Sequence, residues 1–326
     1  MKSIVCSLLR VSLVAACAFV FLKSAVISQE SALNEKLVPT FITNTDNPAL
    51  RDYWPAFSPD GKSVLFSRTP KPGAKWELFI VPVTGGEAHQ LFDSPIPVSA
   101  TRASWSPSGQ IAFTGGTIDE KQQLWLIDSV GAEPKHVQIQ GLSNYVFYPS
   151  WYSDGQQLVV IDGGNRVLQK VDLKHNRAVA LTDPAKFMVG MPSVSPNGEY
   201  VAFAGQENRG GNYDQTKNSI CIIEDGTSRT VETDPKQGRT PNWSPDGRWI
   251  AFESNRGSPD GRSYAIFIME KDGSNLKRLT PYSWFANHPV WSPDGTKMVF
   301  SAIHPERRQV SGIAIINVNI DERSGR

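Results

Sequence analysis

Pro241-Asn242-Trp243-Ser244-Pro245-Asp246-Gly247 and Pro289-Val290-Trp291-Ser292-Pro293-Asp294-Gly295 are almost the same seven residues, written 48 positions apart. Four more copies stand upstream, at Pro55 to Gly61, Ala103 to Gly109, Pro149 to Gly155 and Pro192 to Gly198. The closing glycines fall 43 to 49 residues apart, a period that marks a stacked or radial array of small supersecondary units. The unit has a physical logic. Proline presets φ for the first corner of a turn, Asp or Asn bonds its own backbone, and glycine takes the positive φ that closes the reversal. The chain therefore enters each copy on one strand and leaves on another.

The strand after each glycine ends on a bulky apolar residue: Phe66, Phe113, Val160, Phe203, Phe252 and Phe300. A third apolar run follows, such as Leu78 to Val81 or Ile266 to Met269, and then a turn and a short fourth strand such as Arg177 to Thr182. Four short antiparallel strands repeated six times predict an all-β, six-bladed β-propeller. Regular spacing and the lack of linkers disfavour a sandwich or a tandem row of small domains. Ser258-Pro259-Asp260-Gly261 repeats the turn only 14 residues after Gly247, too close for a seventh blade, and is predicted to be a loop. After its third strand the last unit keeps no clear fourth, whereas Lys36 to Thr43 precedes the first unit and reads like one. The N-terminal segment is expected to complete the last blade and close the ring, which also covers an open sheet edge.

The start of the chain has another character. Met1 and Lys2 lead through Arg10 into the apolar run Val11 to Leu22, followed by a polar exit, the layout of a secretory signal over residues 1–28 with the propeller over 29–326. The alternatives are an uncleaved anchor and lipidation at Cys17, in Val14-Ala15-Ala16-Cys17, and these are the only membrane attachments the sequence offers. Loss of residues 1–28 takes three of the 33 basic residues and none of the 32 acidic ones, leaving a mature chain near neutrality at −2. That balance gives no support to a nucleic-acid binder working through bulk charge. Cys6 and Cys17 leave with the signal, so Cys221 is expected to be a lone buried thiol in a strand of a periplasmic or secreted protein.

The Trp-Ser-Pro-Asp-Gly turn followed by a Phe-ending strand resembles the WD40-like repeats of TolB, the periplasmic component of the Tol-Pal envelope system, and those of the propeller domains of prolyl-oligopeptidase-type peptidases. The likeness is high over Trp243 to Ser301 and weaker from about Asp52 onward. It implies a propeller fold in the cell envelope and a protein or peptide partner. TolB proteins carry a further N-terminal domain, for which the short stretch between Ser28 and Lys36 leaves no room, so a propeller-only relative is expected. Peptidase activity is not expected, because Gly-x-Ser-x-Gly does not occur.

Residues at one repeat position of a propeller form a ring around its channel. Seven before each glycine stand Trp54, Arg102, Tyr148, Met191, Thr240 and His288, and one earlier are Tyr53, Phe147, Arg239 and Asn287. Tyr, Trp and Arg anchor interfaces because they combine large area with a polar handle, so this set is the candidate binding rim; the alternative is that these side chains only plug the channel mouth. Trp105, Trp151, Trp243 and Trp291, four before the glycine, are read as packing, and Asp60, Asp154, Asp246 and Asp294 as turn formers. The five histidines are scattered over the units without zinc-like spacing, and no cofactor, metal or catalytic residue is implied. The reading is a non-catalytic protein-binding or scaffold module. The rivals are a propeller-fold hydrolase, lyase or lactonase with a metal in the channel, and a glycan binder that stacks sugars on the aromatic rim.

Overall fold

The protein is described here by a computed structural model covering residues 37–43, 47, 49–69, 75–92, 102–116, 122–210, 212–224, 227–231 and 237–319. The expected export signal, with Cys6 and Cys17, lies outside these residues. The propeller is the unit from Pro39 onward.

The strand β1 is Thr40–Phe41. Blade one comprises β2 (Arg51–Phe57), β3 (Ser63–Thr69), β4 (Glu77–Pro82) and β5 (His89–Gln90). Blade two comprises β6 (Ser104–Trp105), β7 (Ile111–Gly115), β8 (Gln123–Ile127) and β9 (Lys135–His136). Blade three comprises β10 (Val146–Trp151), β11 (Gln157–Asp162), β12 (Val167–Asp172) and β13 (Arg177–Ala180). Blade four comprises β14 (Phe187–Val194), β15 (Val201–Glu207), β16 (Ser219–Glu224) and β17 (Thr227–Thr230). Blade five comprises β18 (Arg239–Trp243), β19 (Trp249–Ser254), β20 (Ala265–Glu270) and β21 (Lys277–Arg278). Blade six comprises β22 (Asn287–Trp291), β23 (Lys297–Ile303), β24 (Ser311–Asn317) and, as its outer strand, β1. Each blade is an antiparallel meander, and Thr40 pairs with Ile315 and Phe41 with Ala314. The expected closure is therefore present, and two further bonds reinforce it: Ile42 N–H donates to Ile313 O at 2.9 Å and Ile313 N–H donates to Thr43 Oγ1 at 3.0 Å.

The repeat turn explains how the blades are spaced. In blade one Ser58 Oγ donates to the Asp60 carboxylate at 2.6 Å, Lys62 N–H donates to the same oxygen at 3.1 Å, and Gly61 closes the turn at φ +69°. A Cβ on Gly61 would lie 3.6 Å from Pro293 of blade six; on Gly295 it would face Pro245, on Gly247 Pro196, and on Gly155 Pro107. Each of these turns thus rests on the proline of the preceding blade, and the first rests on the last. Ser258-Pro259-Asp260-Gly261 makes the same Ser–Asp bond at 2.6 Å but sits between β19 and β20, adding no blade.

The core lies between neighbouring blades. Phe66, Phe113, Phe203, Phe252 and Phe300 are fully buried, and Cys221 is buried beside Phe203. Second strands such as β19 are buried along their whole length, as expected of strands covered on both faces. At the seam of the ring Ile42, Phe57, Phe66, Val290, Val299 and Ile313 join one apolar cluster.

Candidate functional site

The residues seven before each glycine lie inside the innermost strands rather than in the loops that enter them, with Arg102 just ahead of β6 the exception. In blades one, three, five and six this position takes positive φ: 55° at Trp54, 52° at Tyr148, 52° at Thr240 and 56° at His288. Each precedes a proline, and each falls where the pairing of first and second strands shifts register. A non-glycine residue in left-handed conformation within a strand is a bulge that redirects groups away from the ladder. At two sites the redirected amide crosses to the preceding blade. Trp54 N–H donates to Ser301 Oγ at 3.1 Å, and His288 N–H donates to the Glu253 carboxylate at 2.7 Å.

These bulges bring polar groups together on the axis. The carboxylate of Glu253, 1% exposed, is 2.6 Å from the Arg239 guanidinium, its cross-strand neighbour. Burial works against the charged carboxylate, but Arg239 and the His288 amide outweigh it and hold its pKa below the ordinary value. His288 is drawn down to about 4 by burial, against the pull of Glu253, and is neutral; its Nδ1 lies 3.2 Å from Ser301 Oγ. Tyr148 is pushed up to about 12, chiefly by burial. Arg102, 8% exposed, reaches from blade two to donate to Pro192 O of blade four at 3.3 Å. Burial lowers its pKa to about 10, so it stays cationic at neutral pH. The middle of the channel is therefore filled by a hydrogen-bonded polar plug with two guanidinium groups and one carboxylate.

On the side where the innermost strands begin, a collar of aromatic rings stands above this plug. Trp54 packs against Trp76 at 5.0 Å and His288 at 5.5 Å, and Tyr53 lies 6.3 Å from His288. Tyr145 meets Phe147 edge-on at 4.6 Å, and Tyr264 carries the Arg239 guanidinium 4.0 Å above its ring. Tyr213, in the connection between β15 and β16, accepts from Asn218 at 2.7 Å. Tyr145 and Tyr213 remain 39% and 42% exposed. Asp52, one residue before Tyr53, is fully buried and held by Arg68 in a two-pronged pair at 2.7 and 2.8 Å, so it offers the channel no free carboxylate.

On the opposite side, where the repeat turns lie, all six blades enclose a cavity of about 390 Å³. Arg102 contributes to its lining, Ser104, Ser150, Ser193 and Asn242 stand higher on the wall, and the four repeat tryptophans surround them. These indoles pack as expected, and two of them also clamp neighbouring blades: Trp151 Nε1 donates to Ser104 O at 3.0 Å and Trp243 Nε1 to Ser193 O at 3.1 Å. Trp105 Nε1 and Trp291 Nε1 are buried without an acceptor among the described residues.

Of the rim residues named from sequence, Tyr53, Trp54, Arg102, Tyr148, Arg239, Thr240 and His288 converge on the plug and collar. Phe147 joins through Tyr145. Met191 and Asn287 are half-buried, and Asn287 turns its amide to Phe285 O at 2.6 Å. Glu253, Trp76, Tyr213 and Tyr264 were not legible as channel residues. For Glu253 there was a signal, since it is the one acid at the sixth position after the repeat glycine, where the other blades carry Ser67, Gly115, Ile161, Ala204 and Ser301. Among the described residues no group of three or more His, Cys, Asp or Glu side chains is placed to hold a metal ion.

Residues 50–219 match the family model for the TolB β-propeller domain. The chain belongs to the TolB β-propeller family. An uncharacterized peptidase of Bacillus subtilis is 32% identical over 111 residues, which are 33% of this chain and 16% of the peptidase. The Tol-Pal system protein TolB of Syntrophus aciditrophicus is 28% identical over 252 residues, 72% of this chain and 52% of its own length. This TolB-family chain thus spans a small part of the first relative and about half of the second. Among solved structures, a TolB-type protein of Agrobacterium tumefaciens superposes with a TM-score of 0.60 at 18% identity, over 82% of this chain and 91% of that one. An oligogalacturonate lyase in complex with manganese superposes with a TM-score of 0.53 at 16% identity, over 87% and 97%. At such identities the two structures speak to the fold alone, a scaffold that serves binding proteins and enzymes alike.

Proposed function

We propose that this TolB-family propeller is an exported, non-catalytic protein-binding module of the cell envelope, and that a protein or peptide partner docks on the aromatic collar. The observation that carries the reading is the collar itself. Tyr53, Trp54 and Trp76 come from blade one, Tyr145 from the entry to blade three, Tyr213 from blade four and Tyr264 from blade five, and Tyr145 and Tyr213 are exposed. Tyrosine and tryptophan bury large area at low cost in side-chain entropy, which is why they dominate interface hot spots. The bulges at Trp54, Tyr148 and His288 fix the base of the collar, so little order has to be gained on binding. Kinship with Tol-Pal system proteins supports an envelope setting, and the basic-then-apolar start of the chain supports export over residues 1–28.

Tagged wild-type protein and a Tyr53→Ala/Tyr145→Ala/Tyr213→Ala variant test this on envelope extracts. Partners recovered by the wild type, once purified, should bind the variant at least 30-fold more weakly, as expected when hot-spot side chains worth about 2 kcal/mol or more are lost. Equal affinity for both proteins would overturn the collar as the docking surface.

A further inference from the structure

The turn-side cavity is separate from the collar, since the polar plug lies between them, and its chemistry is different. Among the described residues lining it, Arg102 carries the only charge. Among the described residues this guanidinium makes one hydrogen bond, to Pro192 O, and no ion pair. The nearest carboxylate on the axis, Glu253, is already engaged by Arg239 through one oxygen and by the His288 amide through the other. A buried guanidinium has five donors and costs several kcal/mol to desolvate unless an anion or several acceptors meet it. One carbonyl does not meet that demand. The wall above it adds the side chains of Ser104, Ser150, Ser193 and Asn242, and the indoles enclose the space on several sides. Asn242 spends its Oδ1 on the Trp291 amide at 2.9 Å, which leaves its NH₂ group as a donor.

We propose that the turn-side cavity is a binding site for a small aromatic carboxylate, whose carboxylate pairs with Arg102 and whose ring lies against the repeat tryptophans. The volume of about 390 Å³ falls within the range of small-molecule pockets. Planar recognition of a carboxylate by both prongs of a guanidinium is the geometry arginine favours over lysine. An anion there would also neutralise the surplus cation of the plug. Carboxylate and ring are both needed: the charge supplies the partner that Arg102 lacks, and the ring covers indole surface.

Benzoate and its neutral isostere benzamide serve as probes, titrated into the full chain at constant ionic strength and followed by tryptophan fluorescence and calorimetry. Benzoate should bind saturably. Benzamide should bind at least tenfold more weakly, and so should benzoate to Arg102→Gln. A benzoate signal that never saturates, or equal affinity in Arg102→Gln, would overturn the assignment. Should that variant not fold, crystals of the wild-type protein soaked in 4-bromobenzoate decide the matter. The anomalous bromine peak is expected among Trp105, Trp151, Trp243 and Trp291; a peak only elsewhere, or none, would refute the site.

Discussion

The two mouths of the channel are made by the same six innermost strands, only a few residues apart along each strand, yet they solve opposite problems. On the collar side polar groups are brought inward by left-handed bulges and meet partners there: Trp54 with Ser301 and His288 with Glu253 across blade boundaries, and Arg239 with Glu253 within blade five, while Arg239 Nε and Thr240 Oγ1 find no hydrogen-bond partner among the described residues. On the turn side the strands run regularly, the indoles of Trp151 and Trp243 fasten neighbouring blades, and the axis is left open above a cation. Departure from strand geometry fills a channel, and regular geometry leaves it hollow. The difference is one of backbone before it is one of side chains.

The sharpest way to break that contrast is at the plug. Glu253→Gln keeps the shape and the bond from His288 but leaves Arg239 buried without a counter-charge. We expect a loss of about 3–5 kcal/mol in unfolding free energy by denaturant titration. Arg239→Met/Glu253→Gln, which removes both charges and keeps the acceptor for His288, should recover most of it. If Glu253→Gln proves neutral, the collar side is not held by its ion pair.

A smaller effect separates the mouths by pH. His288 has a pKa of about 4 when folded against 6.5 when exposed, so on acidification the unfolded chain takes up its proton first. Its contribution is complete above about pH 6.5 and is lost as pH falls towards 4, by on the order of 2–3 kcal/mol. The depressed carboxylate of Glu253 adds a further loss below its ordinary value of 4.5, as pH falls through its folded pKa. Melting curves at pH 7 and pH 5 should therefore differ for the wild type and draw closer for His288→Asn.

The smallest effect sharpens the other side. Trp151→Phe and Trp291→Phe remove the same ring area, but only Trp151 gives up a bond to the neighbouring blade. Trp151→Phe should be the costlier by about 1 kcal/mol. Equal costs would mean that the indole N–H groups do not fasten the blades.

The blades, their number and the closing strand could be read from the repeat because each is fixed by local rules: a turn that demands Pro, Asp and Gly, strands that alternate with it, and a last unit short of one strand. The plug was less legible. The column Trp54, Arg102, Tyr148, Thr240 and His288 could be written down, but its bulges could not, since a left-handed residue before proline runs against local preference. Glu253 follows four apolar residues of its strand, and its partner Arg239 is visible only once Arg239 and Glu253 are paired across β18 and β19. The tryptophans were legible in one of their two roles. Read as filler between blades, they also wall a cavity, because a position facing the axis of a ring touches both a neighbour and the hollow.

The two-residue strand Thr40–Phe41 has a consequence for how the molecule comes into being. It precedes every other described strand in order of synthesis, and its hydrogen-bonding edge, Ile313 to Ile315, belongs to the last of them. During that interval five complete sheets can form in turn from local contacts, while the first segment waits and the sixth sheet has an uncovered margin. Assembly therefore ends with a contact spanning nearly the whole sequence, the slowest kind to find, and any factor that shields the early segment would govern how many chains close correctly.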